Sequence, residues 1–175
     1  MKQHLSVLFV LASICLLASC KKEKVTTPAF ENEAASVNAK KNKAGVPFKA
    51  TFNNVSQVLA PPPMVRIQIS GEGIGSHIGK ATLVANVTVN LTTRPPFSIN
   101  GTAVITAANG DQIFFSVTGS RTAADATGAY TGTTTNTITG GTGRFENASG
   151  SFVGIIMANV NSLNSVITYQ GYISY

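Results

Sequence analysis

From Val46 onward the chain alternates apolar and polar residues almost without a break, and this period of two constrains the fold more than any other feature. Successive side chains of a strand point to opposite faces, so each alternating segment predicts a strand with one buried side. "VPFKATF" sets Val46, Phe48, Ala50 and Phe52 against Lys49 and Thr51. "MVRIQIS" sets Val65, Ile67 and Ile69 against Arg66, Gln68 and Ser70. "ATLVANVTVNL" does the same with Ala81, Leu83, Ala85, Val87, Val89 and Leu91. "FSINGTAVITA" and "QIFFSVTGS" follow, joined at Asn109-Gly110, a dipeptide suited to the positive φ of a tight hairpin. The threonine-rich "AYTGTTTNTIT" extends the series, although threonine serves either face; "SFVGIIMA" and "NSVITYQGYISY" complete eight strands. No long segment repeats apolar residues at helical spacing.

Eight antiparallel strands must protect two edges, and closure removes both. The predicted fold is all-β, an eight-stranded antiparallel β-barrel over residues 46–175, with an interior that side chains fill or that holds one small ligand. A two-sheet sandwich satisfies the same alternation. A membrane-spanning barrel fits poorly, because it needs an outward apolar band with aromatic girdles; the second faces here carry Thr, Asn, Ser and Gln, and the chain has no tryptophan.

The first 45 residues have another character. All 16 glycines lie at or after Gly45, which marks a domain boundary there. Residues 1–19 place Lys2 before an apolar run from Leu5 to Ala18, too short to span a bilayer and ordered like a secretory signal. Leu17-Ala18-Ser19-Cys20 resembles the lipobox of bacterial lipoproteins, which implies that Cys20 becomes the lipidated first residue. The only other cysteine, Cys15, lies inside the signal, so the mature chain has no disulfide. Residues 20–45 are predicted to be a disordered tether, with an end-to-end distance of about 25 to 30 Å. Together these features predict a bacterial cell-envelope protein, anchored to membrane lipid through Cys20 (in the outer membrane), with its domain in the periplasm or outside the cell.

The charge balance excludes a nucleic-acid partner. Of the net +6, the barrel segment contributes six cations, spread one per segment without a basic stripe, against four acids. His77 is the only histidine after the signal, and the four acids share no metal-ligand spacing, so neither a metal site nor a cofactor is expected. Ser76 and His77 are adjacent and point apart on an extended chain, which argues against a nucleophile and its base.

"TGGTGRFENASGSF", residues 139–152, is the most distinctive stretch. It lacks the third glycine of a dinucleotide fingerprint and leads into a strand. It is read as a structural turn: Gly140, Gly141 and Gly143 allow a sharp reversal, Phe145 plugs the barrel end, and Gly150 opens the seventh strand where a side chain would crowd its neighbour. The order strand, Gly-Gly-Thr-Gly, Phe, Ala-Ser-Gly, strand is similar to the glycine-phenylalanine turn of the allene oxide cyclase and dirigent families. "GEGIGSHIGKAT" also resembles a Gly-rich segment of bacterial allene oxide cyclase-like barrels. The resemblance implies an eight-stranded barrel, often a homotrimer in those families. Cyclases of that type use a buried glutamate and an asparagine, whose nearest counterparts here are Glu72 and Asn86; Arg144 reads as a solvated turn residue.

Arg66 and Glu72 share the parity of Gln68 and Ser70. If that face lines a lumen, the pair with His77 and Asn86 would orient a ligand; because Val65, Ile67 and Ile69 claim the core, the pattern favours solvent. The leading expectation is a lipid-anchored, non-enzymatic barrel that binds a small or apolar molecule or an envelope partner. The alternative is an isomerase or cyclase acting on an apolar substrate in the lumen.

Overall fold

A computed structural model describes residues 45–175; the expected signal peptide, Cys20 and all but the last residue of the expected tether lie outside the described residues. Eight strands form one closed antiparallel barrel in which each strand pairs with its neighbours in sequence and β8 pairs with β1. The strands are β1 (Val46–Ala60), β2 (Met64–Gly75), β3 (Gly79–Asn90), β4 (Phe97–Ala107), β5 (Gln112–Arg121), β6 (Ala129–Gly141), β7 (Ser149–Asn159) and β8 (Asn164–Ser174). A single 3-10 turn, Gly143–Phe145, lies between β6 and β7. Closure rather than a sandwich is the outcome, and the β1–β8 ladder from Val46↔Ile173 to Val55↔Asn164 removes both sheet edges along most of their length.

Alternation becomes an inside and an outside. Phe48, Ala50, Phe52 and Asn54 of β1, the odd residues from Ala81 to Val89 of β3 and Ile113, Phe115 and Val117 of β5 all face inward and are buried. β6 resolves its threonine ambiguity by parity: Thr134, Asn136 and Ile138 are buried, while Thr131, Thr133, Thr135, Thr137 and Thr139 are exposed. Val46 departs from the expected buried face at 37 % exposure, because it is the first residue of its strand.

β1 runs eight residues past the apolar alternation that announces it, to Ala60, and pairs there with β2 alone. A bulge between Val58 and Ala60 and three prolines, Pro61 to Pro63, blunt this projecting edge. The late glycines also divide differently from the sequence reading. Gly140 sits within β6, at a bulge opposite Phe114 and Phe115. The reversal itself spans Thr142 to Ala148, held by Phe145 N–H to Thr142 C=O (3.0 Å) and Ala148 N–H to Phe145 C=O (2.9 Å).

Candidate functional site

The barrel has a lower end, where β1 begins and β8 finishes, and an upper end at the β1–β2 turn; the two are filled differently. The lower end is closed. Phe145, carried inward by the 3-10 turn, is fully buried, and Ile78 and Ile173 are buried as well. Its ring meets Tyr175 edge-on at 5.0 Å, and the Arg144 guanidinium lies 4.7 Å from its outer face. Asp111 holds Arg144 from the next turn at 3.6 Å. Phe145 is thus buried at this end, with the Arg144 guanidinium over its ring.

Above Phe145 lies an aromatic knot. Phe152 contacts Phe48, Phe115 and Tyr169 at centroid distances of 5.1, 5.0 and 5.0 Å, and Phe52 adds an edge contact to Tyr169. Tilted and edge-to-face rings at these distances attract beyond their burial. Burial pushes the Tyr169 phenol well above its usual range, because a phenolate in this setting would lose its hydration. Two buried asparagines thread the layer: Asn136 donates to Thr134 Oγ1 and Phe152 C=O, and Asn54 donates to Phe52 C=O. Their Oδ1 atoms have no protein partner.

The upper lumen is aliphatic and incompletely filled. Ile67, Ile69, Val87, Ile99, Val117 and Ile167 are among the walls of a cavity of about 40 Å³. That space holds a water or a methyl-sized group and is far below the 300–1,000 Å³ of a preformed drug-sized pocket. Val65, Ile67 and Ile69, expected in the core, are only partly buried; Ile67 and Ile69 border this gap, and Val65 lies near the start of β2. Ser165 also lines it; its Oγ is buried without a protein partner.

One cation stands at the mouth. Arg121 ends β5 on the inward parity of Ile113, Phe115 and Val117. Its guanidinium lies 4.5 Å from the Tyr130 ring centre and 5.3 Å from that of Phe97, which is its direct partner in the β4–β5 ladder. Gly132, opposite in β6, leaves room for it, since a Cβ there would stand 3.2 Å from the Arg121 Cβ. Arg121 donates to the Thr122 C=O at 3.2 Å. No carboxylate lies within 4 Å of it; the one such ion pair among the described residues is Arg144–Asp111. Burial raises the Tyr130 phenol, and the guanidinium opposes that shift by favouring phenolate.

The residues singled out from sequence lie elsewhere. Arg66 and Glu72 are exposed on the outer wall of β2, six residues and so about 20 Å apart along the strand, and do not pair. Asn86 is also outside, accepting from Gln68 Nε2 at 3.3 Å. His77 occupies the β2–β3 turn at φ 66°, exposed. Its Nε2 lies 3.1 Å from Pro47 C=O, which can only accept, so Nε2 carries the proton and Nδ1 accepts from the Tyr175 hydroxyl at 3.2 Å. This makes His77 a latch between the turn and β8. None of the four reaches the lumen, and Glu72 lies on the outer wall, the side that the alternation of β2 favours. Among the described residues no three His, Cys, Asp or Glu side chains converge as metal ligands.

Arg121, Phe97, Tyr130 and Ser165 were missed as site residues. The available signal was parity: Arg121 is the next inward position of β5 after Gly119, so a charge falls on the lumen side of a strand end. No protein-family model matches the sequence, and searches of characterised proteins and of solved structures returned no significant match.

Proposed function

We propose that the chain is a lipid-anchored, non-enzymatic barrel of the bacterial cell envelope whose upper lumen receives a small apolar molecule. The carrying observation is the aliphatic cavity behind Arg121: the lower lumen is packed solid, whereas the upper lumen retains unfilled space and an unpartnered hydroxyl. The cavity wall includes no carboxylate, histidine, lysine or cysteine, so it offers apolar surface and one cation rather than an acid and a base. The lipobox-like Leu17-Ala18-Ser19-Cys20 supports the anchor. The likeness of the Gly-Phe turn to that of allene oxide cyclase and dirigent barrels supports the barrel and not an activity. A cyclase built on Glu72 is disfavoured, because a solvated carboxylate on the outer wall cannot act on a substrate inside.

Xenon dissolved under pressure tests the cavity, since apolar voids take it up. Methyl NMR signals of Ile67, Val87 and Ile167 should shift with xenon while those of the packed lower residues Ile113 and Ile173 stay fixed. Uniform or absent shifts would refute a receptive upper lumen. Intact mass of the membrane-extracted protein should show cleavage before Cys20 and added acyl chains.

A second reading rests on the outer wall. Val153, Ile155 and Met157 of β7 and Val166 of β8 are exposed on one face, with Met157 directly opposite Val166. Such a patch on a sheet favours association with a second copy or another envelope protein.

A further inference from the structure

Accepting the proposed lumen site as the starting point, we infer that its ligand is a short apolar monocarboxylate, with the carboxylate on Arg121 at the mouth and the alkyl end in the cavity. Three observations carry this. First, Arg121 is a cation held on an inward-facing position without a carboxylate partner, although a guanidinium offers five N–H donors and the structure uses one for Thr122. Its planar fork suits a carboxylate, which it can bind with two parallel hydrogen bonds.

Second, the two rings that flank Arg121 keep it over the opening. Phe97 and Tyr130 are half-buried, both on the inward parity of their strands, and they limit where the guanidinium can go. A preorganised cation loses less freedom when an anion arrives, so more of the interaction appears as affinity.

Third, the space selects the tail. A cavity of about 40 Å³ accommodates only the methyl-sized end of a short chain, and a long acyl chain has nowhere to go, because Phe52, Phe152 and Tyr169 fill the lumen beneath. The walls reward carbon, because they are aliphatic and each methylene buried against them adds to affinity. Ser165 Oγ, 7 % exposed as a residue and without a protein partner, supplies a hydrogen bond to a ligand oxygen or to a water carried with it.

The test uses the intact protein in detergent and two fluorinated probes that share a tail: 3,3,3-trifluoropropionate and its neutral counterpart 3,3,3-trifluoropropanol, titrated by fluorine NMR. The expected result is at least a tenfold preference for the acid, about 1.4 kcal/mol. Arg121→Gln should abolish that preference while the xenon response of the upper methyls persists, which shows that fold and cavity remain. Arg121→Met, which keeps an apolar stem between the rings, provides the same reading if the glutamine variant does not fold. Equal binding of acid and alcohol by the wild type, or a preference that survives both variants, would overturn the inference. Xenon uptake without acid preference removes only this ligand class; absence of xenon uptake removes the lumen site itself. Preference for acetate or chloride equal to that for the fluorinated acid would show that an anion alone is bound and would also overturn it.

Discussion

Ile155 and Ile156 are chemically identical neighbours with opposite physical roles. Ile155 is 48 % exposed on the outer wall, and Ile156 is 9 % exposed in the lumen. A strand slipped by one residue would exchange them, so the pair reports the register directly. Ile155→Lys should change stability by no more than about 0.5 kcal/mol, as exposed substitutions do. Ile156→Lys must place an ammonium among Ile167, Tyr169 and Val117 with no acid to meet it. Burying an unpaired charge costs several kcal/mol or expels the strand. Urea midpoints for the two variants measure the contrast; similar losses in both would mean that β7 is not registered as Ile156↔Ile167. Gly143 illustrates the opposite case, in which the smallest side chain is required. Its φ is 57°, and a Cβ there would collide with the Asp111 carboxylate that holds Arg144.

At the scale of elements, β7 explains both a success and a failure of sequence reading. Strands with one polar face declare their inside: Lys49 and Thr51 against Phe48 and Phe52 left no choice for β1. β7 has two apolar faces, Phe152, Gly154 and Ile156 inward and Val153, Ile155 and Met157 outward, so alternation marked a strand there without revealing an exposed patch. The candidate site failed to appear for a related reason. Charge was sought at motif-like positions, Arg66, Glu72 and His77, whereas the inward cation is made by parity at the end of β5 and by partners 24 residues upstream and nine downstream, Phe97 and Tyr130. Only the folded register joins these three. The Gly-Phe turn was legible because glycine and phenylalanine have few other reasons to alternate there, although its reversal starts two residues later than the glycines imply. The outer face of β7 and β8 carries its own prediction. If it is an interface between copies, sedimentation velocity should show an oligomer that Met157→Lys and Val166→Lys together dissociate. A wild-type species that stays monomeric at all concentrations would assign the patch to a different partner or to none.

Across β4 to β8, charge is confined to the ends. From Phe97 onward the only charged side chains are Asp111, Arg121, Asp125, Arg144 and Glu146, all in turns or at strand termini, so the body of the wall is neutral and the interior is held by packing. The pH dependence of stability should then come from a few identifiable groups. Asp125 is lowered from 3.8, first by the Thr127 hydroxyl and then by the Ala129 and Thr127 N–H groups. Its contribution is present above that value and lost as pH falls below it, and it is small because the group is fully solvated. Tyr169 and Tyr130 act at the other limit. Burial raises both above 10.0, so the folded state resists the phenolate more than the unfolded chain does. The stability they secure is fully present below pH 10 and declines as pH rises above it, since ionisation then draws the equilibrium toward the unfolded state. Tyr169, the more deeply buried of the two, should dominate. Urea midpoints followed from pH 8 to about pH 11.5 should fall steeply in the wild type and less in Tyr169→Phe, whose ring still packs against Phe152 and Phe115. Parallel slopes in the two proteins would mean that water reaches the phenol and that the aromatic knot is looser than its ring distances indicate.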